Sequence, residues 1–188
     1  GDMVAVEQIV PCGKCCFCLE GNYWMCKPHE IMGFRYSCPG GFAEYCKLNK
    51  NARVHKVPKD FPVEMGVLVE PYGCAMHAVD RADLKHTDVL VVSGLGAIGL
   101  AMVSIAKKYM PKMIIGLDVR KNRMEKALEF GADYVFSPAE CDVVAEIKKL
   151  TNDYGCDKYI EASGHPSSAV QGLEAIRNLG TYVQFGIY

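Results

Sequence analysis

Half of the ten cysteines, Cys12, Cys15, Cys16, Cys18 and Cys26, fall within one short stretch near the N-terminus. The pattern Cys12-x2-Cys15-x2-Cys18-x7-Cys26 is suited to holding a metal. Two residues between cysteines let a tight turn aim both thiolates at one tetrahedral ion while nearby backbone N–H groups stabilise the sulfurs, and the longer loop returns a fourth ligand. Four sulfurs fill the coordination sphere, so such an ion is structural. Cys16 is left as a spare thiol, because putting it in place of either neighbour spoils an x2 spacing. Zinc held this way contributes on the order of 10–16 kcal/mol in small model domains, against a typical domain stability of about 5–15 kcal/mol. A lobe with few apolar anchors is therefore expected to fold around its metal. Two alternatives stand beside this reading: surface thiols without metal, and a redox pair of the Cys-x-x-Cys kind. The redox pair should open a helix after a strand, whereas the flanks here are Pro11 and a Gly- and Cys-rich turn. Cys38, Cys46, Cys74, Cys141 and Cys156 are scattered and read as small buried hydrophobes.

The second constellation is a run of apolar residues, Val89-Leu90-Val91-Val92-Ser93, leading into Gly94-Leu95-Gly96-Ala97-Ile98-Gly99. A strand entering Gly-x-Gly-x-x-Gly and then a helix is a phosphate-binding arrangement. Gly94 permits the sharp turn, Gly96 lets a pyrophosphate approach the backbone, and Gly99 lets the helix pack close to the strand. The phosphates then meet the positive end of that helix. Alone the motif is weak, but Asp118 follows Gly99 by nineteen residues, at the end of the apolar run Met113-Ile114-Ile115-Gly116-Leu117. An acid there accepts hydrogen bonds from the adenosine ribose hydroxyls and repels a 2′-phosphate, which favours NAD over NADP. Arg120 and Arg123 stand close enough in sequence to tolerate that phosphate. Asp118 as a plain helix-start or turn acid is the bland alternative.

The elements that must position these residues change character near Asp88. Before it the chain is rich in Cys, Gly and Pro with short alternating runs, such as residues 42–48 and 53–57, which suit irregular β structure. Residues 62–82 read as a connecting helix that Pro71 interrupts. After Asp88, strand-like runs at 89–93, 113–118, 134–136, 158–162 and 181–187 alternate with helical stretches at 97–109, 122–130, 140–152 and 167–178. Each helical stretch has apolar residues spaced by three and four. Such alternation predicts an α/β fold with a parallel sheet and helices on both faces.

Bulk properties exclude other classes. A net charge of −1 with 23% charged residues offers no basic surface for nucleic acid or anionic lipid. No stretch approaches the roughly 18 consecutive apolar residues of a membrane helix, and the first residues, Gly1-Asp2-Met3-Val4, show no leader. A cytoplasmic protein is expected.

Taken together, these elements resemble the medium-chain zinc-dependent dehydrogenases, in the polyol branch of that family. The resemblance covers the whole chain. It is carried by the four-cysteine lobe, by Gly40-Gly41-Phe42-Ala43-Glu44-Tyr45, by Glu70-Pro71 and by the glycine turn. Glu7-Gln8-Ile9-Val10-Pro11-Cys12, Met25-Cys26-Lys27-Pro28-His29-Glu30 and Cys74-Ala75-Met76-His77-Ala78-Val79 place it nearest the family's bacterial erythritol/threitol dehydrogenase group. The resemblance implies a Rossmann-type NAD-binding domain over 73–188, preceded over 1–72 by part of an irregular β, GroES-like catalytic domain. It implies that Cys12, Cys15, Cys18 and Cys26 hold a structural zinc, that Gly94, Gly96 and Gly99 with the intervening Leu95, Ala97 and Ile98 receive the pyrophosphate, and that Asp118 takes the ribose. Arg123 would lie on the adenine side, and Ser163, Gly164, Phe185, Gly186 and Ile187 would border the nicotinamide. Glu70 would sit at a catalytic zinc, as a ligand or bonded to its water. His77 reads as a packed histidine, and Tyr23 and Trp24 as a cover for the zinc lobe.

The departures from the family pattern also carry expectations. The family's other catalytic-zinc ligands, a Cys and a Gly-His-Glu motif, are absent from this sequence, and Pro28-His29-Glu30 stands where the family has no catalytic ligand. The sequence thus reads as an internal stretch of a longer enzyme, inactive alone, with a cofactor sheet one strand short of six. The last residues, 181–188, would then form a sheet edge rich in β-branched and aromatic side chains, which invites pairing with another chain. The expected activity of the longer enzyme is NAD-dependent oxidation of a polyol or secondary alcohol by zinc-assisted hydride transfer. Its partners would be that small molecule and further copies of the chain, with neither nucleic acid nor membrane. The rivals are a zinc-ribbon binding module, which needs a basic stripe that is missing, and a zinc-independent reductase of the same superfamily.

Overall fold

The computed structural model describes all residues from Gly1 to Tyr188, and they form two compact units, Gly1–Val69 and Glu70–Tyr188. The first unit is irregular. Strand β1 (Val4–Val6) pairs antiparallel with β4 (Val54–Lys56), and β2 (Ile9–Val10) with β3 (Glu30–Ile31). Between β2 and β3 lie the short helix α1 (Cys16–Leu19) and a 3-10 turn, Tyr23–Met25. Only Val10, Cys26 and Cys38 are buried in this unit, so two of its three interior side chains are cysteines. The stretch 42–48 forms no strand, contrary to its alternating pattern. Alternation specifies a strand only where one face has something to pack against, and here Phe42 and Tyr45 stand fully in solvent.

The segment 62–82 is two helices, α2 (Val63–Gly66) and α3 (Val69–Ala82). The break falls at Val67-Leu68, ahead of Pro71. Pro71 lies in the first turn of α3, where its missing N–H has no intrahelical acceptor to lose.

The second unit is a five-stranded parallel sheet of β5 (Val89–Ser93), β6 (Met113–Leu117), β7 (Tyr134–Phe136), β8 (Cys156–Glu161) and β9 (Ile176–Gln184), in the order β7-β6-β5-β8-β9. Helices α4 (Ala97–Lys108), α5 (Lys121–Phe130), α6 (Val143–Leu150) and α7 (Pro166–Ala175) make the crossovers that parallel pairing requires. All five residues of β5 are buried, the mark of a central strand covered on both faces. Leu90, Val92, Ile114 and Ile160 pack with α3, α4 and α5, while Val89, Val91, Ile115, Leu117 and Tyr159 pack with α6 and α7. Each fully buried Leu or Ile contributes about 1.5–3 kcal/mol, so the strand ends form a firm platform. Asp142 caps α6 by accepting from the N–H groups of Val144 and Ala145 at 3.0 and 3.1 Å.

The helix expected over 140–152 is trimmed to Val143–Leu150 and the strand expected over 158–162 starts at Cys156, but the largest difference from expectation lies between α7 and β9. The helix expected to reach 178 stops at Ala175, and Ile176 already pairs with Cys156. The register then shifts before Thr181 pairs with Lys158, and Leu179 takes up the extra residues at φ 64°. A bulge of this kind carries no hydrophobic period, so the apolar spacing hides it. No helix is long and apolar enough to cross a membrane.

Candidate metal lobe and nucleotide cleft

The β2–β3 connection brings the four cysteines together. The Sγ atoms of Cys12, Cys15, Cys18 and Cys26 all lie within 4.8 Å of one another. A tetrahedral zinc with Zn–S near 2.3 Å sets its sulfurs about 3.8 Å apart, so the cluster suits a metal ion with little contraction. The N–H of Cys12 donates to the Cys26 sulfur at 3.2 Å, and the Cys15 and Cys18 sulfurs are 3.5 Å apart. Backbone N–H groups of Lys27 and Cys18 bring the Cys15 thiol down to about 6, and those of Lys14 and Cys15 lower Cys12. Burial pushes the Cys18 thiol up to about 11. Cys16 is exposed and outside the cluster. Tyr23 is fixed beside the lobe by its hydroxyl on Glu7 at 3.2 Å, by Arg53 stacked 3.9 Å from the ring centroid and by the edge of Trp24.

In the second unit a cleft of about 500 Å³ opens at the C-terminal ends of the strands. It sits where the sheet order reverses, with β6 on one side of β5 and β8 on the other, the place where open α/β sheets bind ligands. Gly94 turns the chain with φ +95°, and a Cβ there would come within 2.5 Å of the Ser163 nitrogen. A Cβ at Gly99 would strike the Gly94 carbonyl oxygen, whereas Gly96, the N-cap of α4, faces open space. Leu95 is fully buried in the core, so its side chain is closed to a ligand.

Asp118 closes the β6 side. It is 8% exposed. Its Oδ2 accepts from the Leu95 N–H at 2.8 Å and the Arg123 guanidinium at 3.4 Å, and its Oδ1 from the Arg120 N–H at 2.8 Å. A carboxylate has about four lone-pair sites; three are taken. The acid is thus tied to the glycine turn and still able to accept once more.

On the β8 side Ser163 lines the cleft, together with Ala162, His165 and Ser168. Gly164, Phe185, Gly186 and Ile187 do not line it; a Cβ on Gly164 would lie 3.1 Å from the Ile187 carbonyl oxygen. Behind them is a group the sequence reading passed over, the fully buried Glu161. Burial alone would raise its pKa, but hydrogen bonds from the Ser163 hydroxyl and N–H, with help from Tyr188 and Ser168, outweigh this and hold it below the ordinary carboxylate range. Its signal was available: like Asp118, it is an acid ending an apolar run that flanks the glycine turn.

Glu70 lies in the first turn of α3 and accepts from the Cys74 thiol at 3.3 Å; burial and that carboxylate push Cys74 up to about 11. Glu70 belongs to no group of three or more candidate ligands, the cysteine cluster being the group present.

The description of a zinc-binding dehydrogenase domain matches residues 97–188, and that of an alcohol dehydrogenase GroES-like domain matches residues 1–59. The chain belongs to this family of zinc-binding alcohol dehydrogenases. It is 44% identical over 188 residues to an erythritol/L-threitol dehydrogenase from Mycolicibacterium smegmatis, covering 100% of this chain and 52% of the relative. It is 37% identical to an L-threonine 3-dehydrogenase from Pyrococcus abyssi, with 100% and 53% covered. Among solved structures, L-idonate 5-dehydrogenase from Escherichia coli superposes with a TM-score of 0.88 at 30% identity, over 100% of this chain and 54% of that one. The chain spans about half the length of the curated relatives it matches.

Proposed function

We propose that this chain supplies the NAD-binding domain and the structural-zinc lobe of an enzyme that oxidises a polyol or other secondary alcohol to the ketone. The observation that carries the proposal is the buried Asp118, locked to the glycine turn with one acceptor site left over. Bound NAD would supply the hydride acceptor at its nicotinamide ring. The residues of the chain bind and orient it. Backbone N–H groups of Gly94 and Leu95 hold the turn to Leu117 and Asp118, while those of Gly96 to Gly99, at the positive end of α4, receive the pyrophosphate. Gly96 leaves room for it, and Asp118 accepts from an adenosine ribose hydroxyl. A 2′-phosphate would meet this carboxylate at close range, with Arg123 as a partial offset, so NAD is preferred to NADP. Ser163 receives the other half of the dinucleotide.

Cys12, Cys15, Cys18 and Cys26 would hold the structural zinc, whose role is to organise a unit with almost no apolar interior. The catalytic zinc of the family is a different matter. Such a site takes three protein ligands and an open position, and Glu70 is one carboxylate outside any cluster. The residues of this chain do not fit that ion on their own.

The polyol assignment draws on the 44% identical relative, and the threonine dehydrogenase at 37% makes an amino alcohol the competing substrate. Erythritol, threitol, sorbitol and L-threonine, offered with NAD to the complete enzyme containing this chain and followed by NADH absorbance, separate the two. Turnover of a polyol is expected. Turnover of threonine alone would overturn the polyol assignment, and turnover of none of them would overturn the dehydrogenase reading itself.

A further inference from the structure

Glu161 is the most deeply buried carboxylate of the chain, and the binding of a dinucleotide as argued above gives it no task. An ionised carboxylate is costly to bury unless its lone pairs are matched. Here they are matched by two separate segments. The side chain accepts from the N–H and hydroxyl of Ser163, the N–H at 2.8 Å, and from the Gly164 N–H at 3.2 Å. The other carboxylate oxygen accepts from the Gln184 amide at 3.1 Å. The main-chain carbonyl of the same residue accepts from the N–H groups of Phe185 and Gly186 at 2.9 and 2.8 Å. One residue at the end of β8 therefore fastens the loop that follows its own strand to the loop that follows β9.

The fastening is directional. Gln184 donates to both Glu161 and the Gly186 carbonyl at 2.8 Å, while its own oxygen accepts from Tyr182 at 2.9 Å. Turning that amide over would set oxygen against oxygen on one side and remove an acceptor on the other. Gly186 has no side chain because a Cβ would collide with the Glu161 carboxylate. The Ser163 nitrogen held in this way is the atom that packs against Gly94 in the turn.

Asp118 and Ser163 stand on opposite sides of that turn, in line with β6 and β8, which both pair with β5 at Ser93. A dinucleotide whose adenosine ribose meets Asp118 and whose pyrophosphate crosses the turn must bring its second nucleoside to the Ser163 side. We propose that Glu161 is a positioning residue for the nicotinamide-side half of the dinucleotide: it touches no ligand, and by fastening Ser163-Gly164 to Phe185-Gly186 it fixes Ser163, the one of these four that lines the cleft. The inference rests on the NAD reading.

The test compares NADH with ADP, which has the adenosine ribose and pyrophosphate but lacks the whole nicotinamide nucleoside, on the unmutated chain, Glu161→Gln and Gln184→Ala. The glutamine keeps one acceptor but turns an N–H₂ group toward donors. NADH binding by Glu161→Gln is expected to weaken about tenfold, the equivalent of one charge-assisted hydrogen bond, with loss of the nicotinamide fluorescence change. ADP should stay within about twofold, since no bond to the adenosine half is altered. Gln184 is exposed, so Gln184→Ala carries little folding burden and decides the matter alone if Glu161→Gln does not fold; NADH should weaken there about threefold, less than for Glu161→Gln because one partly buried bond is lost while the Ser163 bonds remain. Equal losses for both ligands, or no loss for NADH, would overturn the proposal. An unmutated chain that binds neither ligand would instead sink the NAD reading on which it stands.

Discussion

Asp118 shows how much a single residue can be asked to do. Its carboxylate fixes the glycine turn through the Leu95 N–H, neutralises Arg123 and keeps an acceptor for the ligand. Removing it releases Arg123 toward the place a 2′-phosphate would occupy. Asp118→Ala is therefore expected to weaken NADH and strengthen NADPH, moving their ratio by about 1.5–3 kcal/mol, the scale of a hydrogen bond to a charged group. Parallel titrations with the two nucleotides read that ratio, and an unchanged ratio would remove Asp118 from the specificity argument. A second residue-scale expectation concerns Cys26, which is 1% exposed and closes the cysteine cluster. Cys26→Ser should lose the roughly stoichiometric zinc that elemental analysis finds in the unmutated chain, and with it solubility; a well-folded, metal-free variant would contradict the structural role. Asp118 was legible in the sequence because it ends an apolar run at the right distance from a glycine motif. Glu161 has the same placement on the other side of the turn, but its donors come from Ser163 and Gln184, and pairing across two loops leaves no spacing to read.

The strand–turn–helix unit around Gly94 makes separable predictions for its three glycines. Gly94 is at φ +95° with Ser163 against it, and a Cβ on Gly99 would enter the Gly94 carbonyl. Gly94→Ala and Gly99→Ala should each cost about 1–3 kcal/mol of stability, from strain or overpacking, along with nucleotide binding. Gly96 has ordinary φ of −68° and open space in front of it. Gly96→Ala should leave thermal stability nearly unchanged while weakening NADH, because the added methyl occupies the path of the pyrophosphate. Thermal melts and titrations on the three variants separate these outcomes, and a destabilised Gly96→Ala or a neutral Gly99→Ala would contradict the assignment of their roles. The parallel sheet was legible at this scale because β5 and β6 are unbroken apolar runs ended by Ser93-Gly94 and Asp118. The boundary of α7 was not. Ile176 suits a helix or a strand by type, and its pairing with Cys156 depends on a bulge at Leu179 that local sequence does not announce. The alternating stretch 42–48 misled in the opposite way, offering a strand pattern with no surface to complete it.

At the scale of the whole molecule, the two units differ in what holds each of them. Gly1–Val69 buries Val10, Cys26 and Cys38 and little else, while Glu70–Tyr188 has two apolar layers on a central sheet. Chelation should therefore make the first unit susceptible to limited proteolysis while the second keeps its α/β circular dichroism. Survival of the first unit without metal would show that its few strands suffice. A nucleotide that binds the folded cleft stabilises it by mass action, about 2.7 kcal/mol at a hundredfold excess over Kd, so saturating NADH should raise the melting temperature of the second unit. The most direct measurement is a calorimetric titration of the unmutated chain with NADH and with NADPH. One NADH per chain, bound at least about tenfold more tightly than NADPH, is what a buried acid facing the ribose predicts; equal or tighter NADPH binding, or no saturable binding of either, would contradict it.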